Sequence, residues 1–131
     1  MDRRFELALD HFEKALSRLE EALAENESDM VRDSIIKRFE FTFETAWKAC
    51  YRWLRARQVD VDEEAFAVLP RAFQNRLIAN EAPWSGIRKA RNQTAHTYHE
   101  NVAIEVAALA RAVALPAFAA LLATLKARAD E

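Results

Sequence analysis

Turn-forming residues are scarce in this 131-residue chain, which has one glycine and three prolines. β-Sheets depend on such residues to reverse the chain, so their scarcity argues against a strand-rich fold. The only cysteine, Cys50, cannot form an internal disulfide, which agrees with a reducing compartment, and its aromatic surroundings favour a small buried side chain over a nucleophile. The sequence also lacks an uncharged apolar run of about eighteen residues and an N-terminal signal segment. We therefore predict a mainly helical, cytoplasmic protein without a membrane span.

Apolar residues recur at intervals of three and four through most of the chain, a spacing that places them on one side of a helix. This periodicity and the capping residues predict two long helices, over residues 2–25 and 29–58. They also predict a helix that starts at Asp62, with a kink or a fresh start at Pro70, and a helix with Pro83 in its first turn. The last predicted helix is capped by Asn101 and bent at Pro116. The predicted fold is all-α: a single domain, residues 1–131, forming an antiparallel four-helix up-and-down bundle with an extra short helix.

The second predicted helix is apolar on two sides. One stripe runs from Ile35 through Phe39 to Trp53, and another joins Phe39 to Tyr51 by way of Phe43 and Trp47. Such a helix must be covered twice, by its own bundle and by a second copy of the chain, which predicts a homodimer. A monomer with this helix at its centre is the alternative.

Charge is unevenly distributed, although the net charge is only -2. Residues 70–99 contain five basic residues and one acid, and residues 45–59 contain no acid. These segments supply the candidate RNA-binding residues, which are Lys48, Arg52, Arg55, Arg88 and Lys89. The alternative interpretation is that cations gather near helix C-termini because the helix dipole favours them there.

Phosphate loops, paired cysteines and the spacings of metal ligands are absent, so no metal and no cofactor is predicted. What remains is a polar segment with Arg91, Asn92, His96 and Tyr98. Arginine can bind a phosphate with two hydrogen bonds, and histidine can transfer a proton near neutral pH. On a straight helix Arg91 and His96 lie roughly 140° apart, so convergence requires the helix to end or distort near Thr94, or a site shared by two chains. A histidine that is simply hydrogen-bonded at a helix end is the alternative for His96.

Two segments of this sequence closely resemble the nucleotidyltransferase substrate-binding proteins of the HEPN superfamily. They are residues 38–48, RFEFTFETAWK, and residues 91–98, RNQTAHTY, with Trp84 between them. The resemblance extends over nearly the whole chain, and its R-x4-H-x-Y element is complete.

The resemblance implies a homodimeric helical bundle with the Arg and His motif in a cleft at the dimer interface. It also implies a minimal nucleotidyltransferase as partner. In many such pairs the HEPN protein is a toxin that cleaves RNA without a metal, and the partner restrains it by attaching AMP to the motif tyrosine. Carried onto this chain, Arg91 and His96 would be catalytic, Asn92 would support them, and Tyr98 would be modified.

Two positions depart from the family pattern, because Ala90 stands where an acidic residue commonly precedes the arginine and His99 stands where Asn or Asp is expected after the tyrosine. Both departures bear on how the cleft is preorganised. Glu44 and Lys48 in the first motif either reach the cleft or form a surface ion pair along their helix.

Two functions follow as hypotheses. The first is a metal-independent endoribonuclease toxin that acts on an RNA such as tRNA or mRNA and is controlled by AMPylation of Tyr98 by a nucleotidyltransferase antitoxin. The alternative is a non-catalytic substrate-binding subunit of a two-component nucleotidyltransferase. Both use the same motif, so the sequence separates them poorly.

Overall fold

The computed structural model describes residues 2–131 and is all-helical, with 80% helix and no strand among those residues. Its helices are α1 (Arg3–Ala24), α2 (Asp29–Ala56), α3 (Ala65–Gln74), α4 (Glu81–Gln93), α5 (Glu100–Leu109) and α6 (Leu115–Ala127). A 3₁₀ turn, Thr94–His96, follows α4, and a π-helical turn, Ala110–Ala114, joins α5 to α6. The predicted all-α class is confirmed.

Side-chain caps explain where the first helices begin. The Asp2 carboxylate accepts a hydrogen bond from the Phe5 amide at 2.9 Å, and the Ser28 hydroxyl accepts one from the Val31 amide at 3.1 Å. Each bond satisfies an amide that has no partner within its own helix. The predicted bounds of α1 and α2 therefore agree with the observed ones within two residues.

The prediction for the start of α5 was wrong. Asn101 does not cap this helix but lies in its first turn, and the cap position is taken by His99, which makes no side-chain capping bond. The predicted start at Asp62 was also early, because α3 begins at Ala65 after a cap position at Glu64.

Two prolines affect their helices differently. Pro70 lies inside α3, which continues through it, so no fresh start occurs. Pro116 stands in the first turn of α6, directly after the π turn. Proline has no amide hydrogen and its ring collides with the carbonyl four residues earlier, so a wider turn before Pro116 relieves this contact. The predicted irregularity at Pro116 thus takes the form of a π turn.

One core joins the helices. At its centre the Phe118 ring of α6 lies 6.3 Å from Phe12 of α1, 6.2 Å from Phe39 of α2 and 5.6 Å from Trp84 of α4, between ring centroids. Such aromatic contacts add to the free energy gained by burying the rings. All four residues are buried, so this cluster connects four helices.

The single chain covers most of both apolar stripes of α2. Ile35, Phe39 and Trp53 are buried, and so are Phe43 and Trp47 of the second stripe, while Tyr51 is half-buried. These rings therefore need no second copy of the chain to remove them from water. The homodimer stays a prediction, but the apolar stripes of α2 are no longer an argument for it.

The helical segment Glu100–Ala127 is long and apolar enough to cross a membrane. Core helices of water-soluble proteins can meet the same criteria. Val106, Phe118, Leu121 and Leu125 of this segment belong to the core of the bundle, and 33% of its most apolar stretch is buried.

Candidate functional site

Arg91 is the centre of a polar network between α4 and α2. Its Nε lies 3.4 Å from Glu44 Oε1, and its Nη1 lies 3.9 Å from Glu40 Oε2. The Trp47 indole donates to Glu44 Oε2 at 3.0 Å, which fixes that carboxylate. Arg91 Nη1 also donates to Thr94 Oγ1 at 3.0 Å. Arg91 is therefore oriented from three sides while its side chain stays one-third exposed, at 33%.

Glu44 settles one alternative left open by the sequence. It pairs with Arg91, and no ion pair joins it to Lys48 among residues 2–131. Lys48 Nζ instead lies 5.7 Å from the Trp47 ring centroid. Of the two, only Glu44 is placed at the Arg91 site by a direct contact.

Helix α4 ends where the sequence required an irregularity. Thr94 is buried, and its hydroxyl donates to the Arg91 backbone oxygen at 2.7 Å, a bond that competes with regular helical hydrogen bonding. The chain then tightens into the 3₁₀ turn that carries His96. The 140° separation expected for a straight helix consequently does not apply to Arg91 and His96.

His96, the last residue of this turn, forms an exposed aromatic cluster with Tyr98 and His99. The Tyr98 ring centroid lies 6.1 Å from that of His96 and 4.3 Å from that of His99. Tyr98 is 76% exposed, an unusual position for a ring of this size. Its hydroxyl is therefore accessible to another macromolecule, with two imidazoles beside the ring.

A cavity of about 330 Å³ adjoins Arg91, and its lining residues are Phe43, Glu44, Ala65, Phe66, Arg88, Arg91 and Asn92. The Arg88 guanidinium carbon lies 4.3 Å from the Phe66 ring centroid, and that ring is 71% exposed. Arg91 and Asn92 thus share a cavity, whereas His96 and Tyr98 are not among its lining residues. One chain brings together only part of the predicted motif.

Sequence reasoning missed three residues of this site, Glu40, Thr94 and Phe66. For Glu40 a signal was available, because Glu40 and Glu44 are four residues apart and so lie on one face of α2. Phe66 carried no comparable signal, since only the packing of α3 places it beside Arg88.

The other candidate RNA-binding residues already have neighbours. Arg52 lies 3.7 Å from a Glu63 oxygen and Arg55 lies 3.8 Å from an Asp60 oxygen. Lys89 is exposed. These contacts agree with ordinary surface cations. They also agree with a phosphate-binding face, because a phosphate can readily replace the carboxylate of a surface ion pair.

Cys50 is fully buried, and burial raises the pKa of its thiol to about 12. Because the thiolate is the reactive form, a thiol in this setting is a poor nucleophile. The interpretation of Cys50 as a small buried side chain is confirmed.

Among residues 2–131, no three His, Cys, Asp or Glu side chains are grouped so that they could hold a metal ion.

Comparison with known proteins identifies a family and a similar solved structure. The family model for nucleotidyltransferase substrate binding protein like sequences matches residues 7–127. The chain is also similar to a crystal structure of a protein from Thermus thermophilus, with 32% sequence identity and a TM-score of 0.74 over 92% of this chain and 99% of that one. No curated protein matches this sequence.

Proposed function

This chain belongs to the nucleotidyltransferase substrate-binding protein-like family, and on that premise we propose that it is the non-catalytic subunit of a two-component nucleotidyltransferase and presents Tyr98 as the nucleotidyl acceptor. The observation that carries this proposal is the 76% exposure of Tyr98 beside His96 and His99. An acceptor must enter the active site of another protein, so its hydroxyl has to project from the surface.

The chemistry of transfer is simple for an exposed phenol. The Tyr98 oxygen attacks the α-phosphorus of ATP, an oxygen–phosphorus bond forms, and the bond to the departing pyrophosphate breaks. The phenolic proton passes to a base, and a candidate is the imidazole of His99, whose ring centroid lies 4.3 Å from that of Tyr98. The partner supplies the nucleotide site, and this chain supplies the acceptor and its surroundings.

The Arg91 network favours this role over catalysis by the isolated chain. Two carboxylates already lie beside Arg91, so an incoming phosphate meets their negative charge. A transferred AMP group has its own negative charge and could take the place of Glu40 or Glu44 beside Arg91. The network would then hold the modified tyrosine segment against α4.

Transfer is tested by mixing the chain with a minimal nucleotidyltransferase from the same organism and with ATP labelled at the α-phosphate. We expect label on the wild-type chain and none on Tyr98→Phe, because only the acceptor oxygen is removed. Tyr51→Phe is the matched control, since Tyr51 is half-buried on α2. Equal labelling of wild type and Tyr98→Phe would refute the acceptor role of Tyr98.

A second candidate function is a metal-independent endoribonuclease with Arg91 and His96 as the reacting pair, and the break of α4 at Thr94 is the observation that favours it. His96 takes the proton of a ribose 2′-hydroxyl, and the 2′-oxygen forms a bond to the adjacent phosphorus. The bond from this phosphorus to the 5′-oxygen of the next nucleotide breaks, and the departing 5′-oxygen gains a proton. Arg91 stabilises the negative charge on the phosphate. The product end is a 2′,3′-cyclic phosphate, and AMP on Tyr98 would block the cleft.

This second function needs a shared cleft, because His96 does not line the Arg91 cavity of its own chain. We propose a homodimer of antiparallel four-helix bundles for it, and the short connection from Glu25 to Ser28 between α1 and α2 supports antiparallel neighbours. Purified chain should cleave RNA, and His96→Ala should lose about 100-fold or more in rate. The exposed control Ser17→Ala on α1 should lose nothing. Intact RNA with the wild-type homodimer would exclude the nuclease and leave the acceptor proposal standing.

A further inference from the structure

A second recess beside α2 combines an aromatic ring with several cations. It lies between α1 and α2, has a volume of about 180 Å³ and is lined by His11, Lys14, Ala15, Arg18, Arg38 and Phe41. None of these residues lines the Arg91 cavity. Phe41 is 54% exposed at this recess, although its neighbours Phe39 and Phe43 are buried.

Charge around the recess is mainly positive. Arg18 and Lys37 make no ion pair with any residue in the described range 2–131, and Lys37 Nζ lies 5.1 Å from the Phe41 ring centroid. Two acids lie close by, Asp10 at 2.9 Å from Lys14 Nζ and Glu21 at 3.6 Å from Arg38 Nη1. Four lysines and arginines against two carboxylates leave a charge of +2, without counting His11.

Size and shape restrict the occupant. Sites that enclose a whole drug-sized ligand have volumes of roughly 300–1,000 Å³, so a recess of about 180 Å³ admits a single planar ring system with its substituents outside. An acidic peptide would satisfy the cations but leave the Phe41 ring without a partner. A nucleobase uses the ring face and its phosphate uses the cations, which is how aromatic and basic residues combine on single-stranded nucleic acids.

We propose that this recess is a second nucleotide-binding site, in which a base stacks on Phe41 and its phosphate lies between Arg18 and Lys14. The exposed ion pair of Lys14 with Asp10 contributes little and can yield to a phosphate. The site takes a base with an adjoining phosphate, supplied by a single-stranded RNA or by a free nucleotide. It does not require Tyr98, Arg91 or His96, so it stands or falls separately from the proposed function.

The test uses a fluorescent single-stranded oligonucleotide with 2′-O-methyl riboses, which has no 2′-hydroxyl to react, and AMP as a second probe. Phe41→Leu keeps an apolar side chain but removes the stacking face, and we expect it to weaken oligonucleotide binding about tenfold or more. Arg18→Gln should weaken binding and reduce the slope of log affinity against log salt by about 0.7, the value for one phosphate contact on a single strand.

Matched controls separate the recess from general surface effects. Phe73→Leu alters another partly exposed phenylalanine, at 37% exposure, and Arg4→Gln removes an exposed cation elsewhere on α1. Both should bind the oligonucleotide as wild type does. AMP binding that shows the same dependence on Phe41 assigns the site to free nucleotides, and binding of the oligonucleotide alone assigns it to a strand; both results support the site.

Three results would overturn the proposal. One is wild-type oligonucleotide and AMP affinity in Phe41→Leu, and another is an equal loss in Phe73→Leu. The third is a change of oligomeric state in Phe41→Leu with unchanged oligonucleotide binding, which would make this flank an interface between copies of the chain. Because Phe41 is largely outside the core, its substitution should leave the helical content unchanged and keep these outcomes interpretable.

Discussion

Arg91 is engaged by acidic residues before any ligand arrives. Glu40 and Glu44 approach it from α2, and Thr94 accepts a hydrogen bond from it on the other side. This arrangement orients the guanidinium, but it also makes the two carboxylates competitors of any phosphate. The strength of anion binding at Arg91 is therefore set as much by α2 as by the motif itself.

Removing one carboxylate should separate these two effects. In Glu44→Gln the amide can still accept the Trp47 hydrogen bond while the competing charge is lost, so affinity for a single-stranded oligonucleotide at the Arg91 cavity should rise several-fold. The free energy of unfolding should change by less than about 1 kcal/mol, because the pair is partly exposed. Fluorescence anisotropy and a urea titration measure the two quantities.

Glu20→Gln is the control for Glu44→Gln, since Glu20 is exposed on α1. It removes the same charge from a site remote from α4 and should leave oligonucleotide affinity almost unchanged. Equal gains in both variants would show that net charge, rather than competition at Arg91, governs binding.

The motif residues could be located from the sequence, but not their partners. Arg91, Asn92, His96 and Tyr98 stand out because polar groups of useful chemistry occur within eight residues. Glu40 of α2 and Phe66 of α3 reach the site only through side-chain contacts with Arg91 and Arg88 of α4. The spacing of residues within one segment gives no information about contacts with distant segments.

At the scale of the helix, capping decides where α2 begins. The Ser28 hydroxyl accepts a hydrogen bond from the Val31 amide, and the Ser28 backbone carbonyl oxygen accepts one from the Arg32 amide at 2.8 Å. Ser28→Ala should lower the free energy of unfolding by about 1 kcal/mol, because an amide in the first turn loses its partner. A denaturation curve monitored by circular dichroism checks this value.

Ser17→Ala serves as the matched substitution, since Ser17 is exposed in the middle of α1. Alanine is the better helix former there, so this variant should be as stable as wild type or slightly more so. A loss of stability in Ser17→Ala comparable with that in Ser28→Ala would contradict a capping role for Ser28.

Helix starts were predictable for α1 and α2, where the side chains of Asp2 and Ser28 make the capping bonds. At α4 the side chain of Asn80 makes such a bond as well, but it was not predicted. The start of α5 was not predictable, because His99 occupies the cap position without a capping bond and Asn101 is the more usual residue for that role. The π turn before Pro116 could be anticipated only as an irregularity, since sequence patterns do not specify which wider turn relieves a proline.

For the whole molecule, apolar spacing was enough to predict an all-helical chain with a core through α2. The aromatic cluster around Phe118 was not foreseen, because its rings come from four separate helices. Burial of Phe43 and Trp47 within one chain also removes the original sequence argument for a second copy. Oligomerisation must therefore be decided by surfaces such as Tyr98 and Phe41 that the single chain leaves exposed.

The functional account depends on this chain being one subunit of a pair. Tyr98 is presented on the surface, Arg91 is restrained, and the family match extends from residue 7 to residue 127. These features have a common explanation if a second protein brings the nucleotide.

The most direct test measures, by size-exclusion chromatography with light scattering, the mass of the species formed when this chain is mixed with a minimal nucleotidyltransferase from the same organism. The account predicts a stable complex that contains both proteins and survives Tyr98→Phe, because one phenolic oxygen contributes little to a protein interface. Elution of the two proteins as separate species, at concentrations on the order of 10 μM where even weak subunit pairs associate, would contradict it.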